Sequence, residues 1–168
     1  MNLFKIGFSY LLLLTASGYQ GRGRFEKVIW LANKAKKISS NSKMILKGVY
    51  IYTCDDYRRI KKYKRAINEL NEALEIFPDD TRFYQLMVMA LEEKGESHDK
   101  TIPYIKLYLE KYEKMEATFP KIMKPIIKLF RKNFDLDEYA KKIGNWDDKW
   151  AIWAKGVLDN HNKKEGIL

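Results

Sequence analysis

Residues 54–78 read CDDYRRIKKYKRAINELNEALEIFP, and their spacing decides the fold. From Tyr57 the residues Tyr63, Ala66, Leu70, Ala73 and Pro78 follow at intervals of 6, 3, 4, 3 and 5. Residues 16–40, ASGYQGRGRFEKVIWLANKAKKISS, repeat those intervals from Tyr19 through Phe25, Val28, Ala32, Ala35 and Ser40. A small residue stands three before each start, Ala16 and Cys54. The 3-4 spacing is the period of one helix face. Alternating small and large side chains on that face let two helices interlock. One helix-turn-helix unit is therefore written at least twice, 38 residues apart.

Working outward, residues 9–22 read as a Leu-rich helix ended by the glycines of Gly21–Gly23. Phe25 to Ile38 is its partner, and Ser39 to Ser42 is a loop with candidate N-caps. Lys43 to Arg59 and Tyr63 to Phe77 form the second pair, after which Asp80 is placed to cap a helix beginning near Thr81. The third unit is degenerate. Its first helix ends at Gly95, a loop covers Glu96 to Asp99, and its second helix starts around Pro103, where the missing N–H is tolerated. It is expected to run to about Met115, and beyond Pro120 the repeat is lost. Lys121 to Lys132 then reads as a basic amphipathic helix. An acidic start at Asp135 leads to Gly144, and Asn145 is expected to cap a last helix with Trp146, Trp150 and Trp153. The expectation is an all-α chain of about eight helices. It forms a single helical-repeat domain over 1–168, with units at about 9–40, 43–78 and 81–118 and capping helices at about 120–160.

Composition bounds the function. With 46% hydrophobic residues the chain is too apolar for a disordered protein, and 9 Gly and 4 Pro leave long helical stretches intact. The lone Cys54 excludes an internal disulfide framework and a multi-cysteine zinc site, which fits a reducing, cytoplasmic location. Lys5 ahead of the apolar run Ile6 to Ala16, with Ala16-Ser17-Gly18 after it, has the outline of a secretory signal. Cleavage there would remove a helix whose Ala16 fills a repeat slot. Retention is the reading adopted, and a secreted or envelope-anchored protein processed near residue 18 is an alternative. The net charge of +10 raises non-specific attraction to nucleic acid, anionic lipid and acidic partners alike.

The slots resemble those of the tetratricopeptide repeat family. The second unit matches as Cys54, Tyr57, Tyr63, Ala66, Leu70, Ala73 and Pro78, with Lys61 where the family has glycine. The first matches as Ala16, Tyr19, Gly23, Phe25, Val28, Ala32 and Ala35, with Ser40 where the family has proline. The resemblance implies stacked antiparallel helix pairs forming a short superhelix, whose first helices line a groove for peptides or a partner helix. The family's familiar carboxylate clamp of Lys and Asn falls here on Leu13, Ser17, Ile51 and Asp55. A chaperone-peptide clamp is thus not expected.

The function expected is a non-catalytic protein–protein interaction module or assembly scaffold without cofactor or metal, taking an acidic or helical protein partner. Tyr50, Asp55, Gln85 and Met89 are the expected groove residues, and Trp146, Trp150 and Trp153 a second contact or a packing stripe. The segment Arg58 to Arg65 holds six basic residues in eight. Its Arg58, Arg59, Lys62 and Lys64 are candidates for polyanion contact, so an RNA-binding helical repeat is an alternative reading. Membrane contact is not expected, because the basic face of Lys121, Lys124, Lys128 and Arg131 lacks a large apolar wedge. Residues 4–14 are apolar on nearly every face, unlike a solenoid end helix, which points to a further neighbour there.

Overall fold

The computed structural model describes residues 3–130 and 136–167, with side chains described for 3–114 and 149–167. The chain is all-α. Its helices are α1 (Leu3–Gln20), α2 (Phe25–Ile38), α3 (Lys43–Arg59), α4 (Tyr63–Ile76), α5 (Thr81–Glu93), α6 (His98–Phe130) and α7 (Leu136–Lys164), with no strand among the described residues. Contacts group them into two compact units, Met1–Thr101 and Ile102–Leu168.

In the first unit each helix packs on the next, and α3 also packs on both α1 and α5, whereas α2 and α4 meet only through side chains, the Lys36–Glu72 ion pair at 3.6 Å. The odd-numbered helices therefore lie on the inside of a curved row. The slots of the repeat form its core: Ala16, Val28, Ala32, Ala35, Cys54, Ala66, Leu70 and Ala73 are all fully buried. Small residues at helix crossings bring backbones close, and the larger Val28, Ile45, Val49 and Leu70 fill the space between. Ser42 caps α3 by accepting from the Ile45 N–H, and Asp80 caps α5 by accepting from the Arg82 N–H at 3.2 Å.

One turn, used three times, explains the doubled spacing. At the end of α1 the N–H of Arg24 donates to the Tyr19 carbonyl at 3.0 Å and that of Gly23 to Gln20 at 2.9 Å. Lys62 to Tyr57 and Lys61 to Arg58, both 2.8 Å, repeat the pattern after α3. Glu96 to Leu91 and Gly95 to Glu92 repeat it after α5, at 3.0 and 2.9 Å. This helix stop requires a left-handed residue, supplied by Gly23 (φ 70°), Lys61 (φ 59°) and Gly95 (φ 83°). Lys61 is the one described non-glycine residue at positive φ. Lys61→Gly is expected to stabilise the protein by about 0.5–1 kcal/mol, the left-handed cost of about 1–2 kcal/mol less the added freedom of the unfolded chain. A higher urea midpoint at unchanged slope is the readout, and a lower midpoint refutes it.

A second repeated device crosses the turn. The Lys27 ammonium sits 4.6 Å above the Tyr19 ring and the Arg65 guanidinium 4.8 Å above Tyr57, eight residues on in both cases. In the third unit the slots hold Leu91 and Asp99, which cannot make this contact.

In the second unit, Tyr108 is fully buried and meets Trp150 edge to face at 5.1 Å between ring centroids, with Ala151 and Ala154 buried beside it. Two breaks expected from sequence do not occur. The helix entered near Pro103 continues through Pro120 and Pro125 to Phe130, and α7 continues through Gly144 and Asn145. An interior proline costs about 3 kcal/mol, through its missing N–H and the clash of its ring with the preceding turn, and glycine about 1 kcal/mol relative to alanine. Among flanking Lys, Met, Ala and Leu, neither stops these helices, so seven stand among the described residues where about eight were expected. The loop at Glu96 to Asp99 is likewise shorter, since α6 begins at His98. At the other end α1 starts at Leu3, six residues before the expected start.

Candidate binding groove

The concave side of the first unit carries an apolar recess of about 280 Å³ lined by Tyr10, Leu13, Leu14, Met44, Gly48, Ile51, Tyr52 and Arg82. All eight come from α1, α3 and α5. They also share slots: Tyr10, Gly48 and Arg82 are equivalent at offsets of 38 and 34, and Leu14 is equivalent to Tyr52. Gly48 shapes the recess. A Cβ there would stand 2.8 Å from Leu13 Cδ1, so α1 and α3 approach this closely only over glycine, unless the Leu13 side chain moves. Arg82 at the rim is held by its own Asp80 at 2.9 Å, which also pairs with Lys47 at 2.6 Å. The site is an apolar concavity with a cationic edge, suited to receiving an apolar side chain from a chain of complementary charge.

The residues singled out from sequence fall elsewhere. Tyr50 is buried on the opposite side of α3, where its hydroxyl accepts from Lys36 and donates to Glu72, both at 3.1 Å, tying α2 to α4. Burial pushes its phenol up. Gln85 is buried and Met89 half-buried on α5. Asp55 belongs to a polar cluster at the C-terminal ends of α1, α3 and α5. It accepts from Arg58 Nη2 at 2.6 Å and Arg59 Nε at 2.8 Å, while Arg58 also pairs with Glu93. Arg58 is thus a buried internal cation and Arg59 is held by Asp55. Lys62 and Lys64 remain exposed. Trp150 and Trp153 are brought together at 4.8 Å, with Trp150 against Tyr108. The Trp146 side chain and the basic face 121–131 lie outside the described residues. Slot arithmetic applied to the outward positions, rather than the buried ones, would have found Tyr10, Gly48 and Tyr52.

Asp56, next to that cluster, is fully buried. Its Oδ1 accepts from Gln20 Nε2 at 2.9 Å, and its Oδ2 has no partner. Burial lifts its carboxyl to about 6, against the pull of Gln20 and the nearby arginines. Between about pH 4 and pH 6 the folded chain holds a proton that the unfolded chain releases, so this group's contribution to stability falls as pH rises through that window. Asp56→Asn is expected to be more stable than the parent by about 1–2 kcal/mol at pH 7. The gap should close as pH falls toward 4, as urea unfolding at several pH values would show. A gap independent of pH refutes the assignment.

Among the described residues, no group of three or more His, Cys, Asp or Glu could hold a metal ion, and no helix is long and apolar enough to cross a membrane. Burial pushes the Cys54 thiol up, away from its reactive thiolate form. The fold and site together define an all-helical protein with a concave apolar recess. Comparison with protein-family models, with curated proteins and with solved structures gives no match for this chain.

Proposed function

We propose that the chain is a non-catalytic interaction module of tetratricopeptide-like build, which binds a partner peptide or helix in the groove of α1, α3 and α5. The observation that carries this reading is the recess itself, built from equivalent slots of three successive units and open to solvent at Tyr10, Leu14 and Met44. The recurrence of one turn at Gly23, Lys61 and Gly95 supports the repeat build. An apolar side chain of the partner fills the recess and sets affinity. The surplus of cations draws in an acidic partner and speeds encounter. A buried Cys54 and no other cysteine suit a reducing, cytoplasmic setting.

The test is affinity purification of the full chain from its source with mass spectrometry, beside Met44→Glu and Ile51→Lys. A protein retained by the parent and lost by both variants supports the groove. An unchanged set of proteins overturns it.

A second reading, polyanion contact, has one observation in its favour. Arg22, Arg24, Lys61 and Lys62 on two turns and Lys64 at the start of α4 are exposed and make no ion pair among the described residues. The turns are neighbours, with Arg59 lying 5.5 Å from the Phe25 ring. Single-stranded RNA binding that falls steeply with salt and is lost in a Lys61, Lys62, Lys64→Glu variant would establish it. Binding unaffected by that variant rejects it.

A further inference from the structure

We infer that the outer face of α2 is a binding surface for single-stranded nucleic acid, with Trp30 as the ring on which a base stacks and Arg24, Lys27, Lys34 and Lys37 as its phosphate contacts. No residue of α2 lines the recess, so this surface is independent of what the groove takes. It is also a different set of side chains from the turn cations Lys61, Lys62 and Lys64.

The five residues form one line along the helix. Arg24, Lys27, Trp30, Lys34 and Lys37 follow at intervals of 3, 3, 4 and 3, the period of a single face, and all five are exposed. The other face of α2 is in the core, through Val28, Leu31, Ala32 and Ala35. Trp30 is 52% exposed, and the Lys34 ammonium sits 3.8 Å from its ring centroid. None of the four cations makes an ion pair among the described residues. The ion-paired lysine of α2 is Lys36, which turns to Glu72 and Tyr50 instead.

The repeat does not call for this line. Its equivalents in α4, 38 residues on, are Lys62, Arg65, Asn68, Glu72 and Glu75, a mixed set. Asn68 and two glutamates serve a solvated face equally well, whereas four cations around an exposed tryptophan add mutual repulsion and exposed apolar surface. α4 has a helix pair before it and α5 after it, yet all five of its positions are exposed. A helix pair stacked ahead of α1 would leave the α2 line equally open. Its exposure therefore does not depend on what precedes α1.

The chemistry of the line selects the ligand. From Arg24 to Lys37 it runs about 20 Å at 1.5 Å per residue, the track of a few nucleotides. Cations with an aromatic ring among them are the combination that single strands use, since bases stack on the ring while phosphates meet the cations. A duplex keeps its bases stacked on one another and leaves Trp30 without a partner. A membrane-surface helix turns a broad apolar face to lipid, and the apolar face of α2 is already in the core. Carboxylates of an acidic peptide match the lysines but are repelled by the negative face of an indole ring, on which a base stacks.

The experiment is fluorescence-anisotropy titration of the full chain against labelled oligo(U) and oligo(dT) of about 12 nucleotides, at about 0.05–0.2 M NaCl. The variants are Trp30→Ala, Lys34→Gln with Lys37→Gln, and, as a control of equal charge, Lys5→Gln with Lys43→Gln. All these side chains are exposed, so each variant should keep the parent's far-UV spectrum. The parent is expected to bind both strands, with log affinity falling linearly in log salt. Trp30→Ala should weaken binding about 5- to 100-fold, the loss of one stacked base, at an unchanged salt slope. It should leave binding to a duplex of the same length unaltered. The Lys34, Lys37 pair should reduce the slope by about 1.4, at about 0.7 per phosphate, and the control pair should not. Equal losses in the two lysine pairs would show general charge attraction and overturn the proposal. So would a Trp30→Ala variant that binds as the parent does, or a parent that binds phosphatidylserine vesicles in place of the strands. Loss confined to the Lys61, Lys62, Lys64→Glu variant also overturns it, by placing the strand on the turns alone.

Discussion

Phe83→Ala is expected to cost about 3–5 kcal/mol of stability, the range for losing a buried ring. Phe83 is fully buried near the start of α5, with its ring centroid 5.9 Å from that of Phe77 in the connection from α4. Its surroundings are fastened independently of it. Asp80 caps α5 and pairs with Lys47 of α3, and the Tyr84 hydroxyl donates to the Pro78 carbonyl at 2.7 Å. A cavity walled by such contacts cannot collapse, so the full penalty should appear. Urea unfolding followed by circular dichroism gives the number, and a loss below about 1 kcal/mol would mean that α5 shifts to fill the space.

The second large effect is expected at Arg58→Ala, about 2–4 kcal/mol. Among the described residues Arg58 is the only buried Lys or Arg, and its guanidinium serves Asp55 on its own helix and Glu93 on α5. Removing it leaves Asp55, whose side chain is 15% exposed, with Arg59 as its remaining cation, while Glu93, at 40%, can hydrate. The expected cost is placed below that of a wholly buried pair for that reason. Arg58→Lys should recover little, because an ammonium cannot hold both carboxylates with a planar fork. The loss should persist at about 1 M NaCl, where exposed pairs are screened out. Full rescue by Lys, or loss of the effect in salt, would show the cluster to be a surface pair.

The repeat was legible because its slots are intrahelical and short-range. Tyr57 to Pro78 spells one turn, one helix face and one exit, and the same rule recovered α2 and α3 to the residue. The glycine slot was legible too, although the backbone keeps its left-handed turn at Lys61 without glycine. The groove was harder to read. Tyr50 has an aromatic ring on the right helix, yet it turns toward Lys36 and Glu72 because α2 and α4 place a donor and an acceptor there. Arg58 and Lys64 look alike in a basic run, but only Arg58 has Asp55 and Glu93 folded around it. Breaks near Pro120 and at Gly144 misled for a related reason, since a local penalty of about 3 kcal/mol for proline or about 1 kcal/mol for glycine is small beside a whole packed helix.

Local periodicity by itself determined that this chain is all-α, where its first turns fall, and which small residues sit at helix crossings. The tertiary structure decided the rest: which side of α3 lines the recess and which arginine is buried. Those outcomes depend on residues 26 to 36 positions apart meeting across helices, as Ser9 with Ala35, Gln20 with Asp56 and Arg58 with Glu93 do, and as Gly48 with Leu13 does at 35. Spacing along one helix fixes which face a residue shares. Only packing fixes what that face meets.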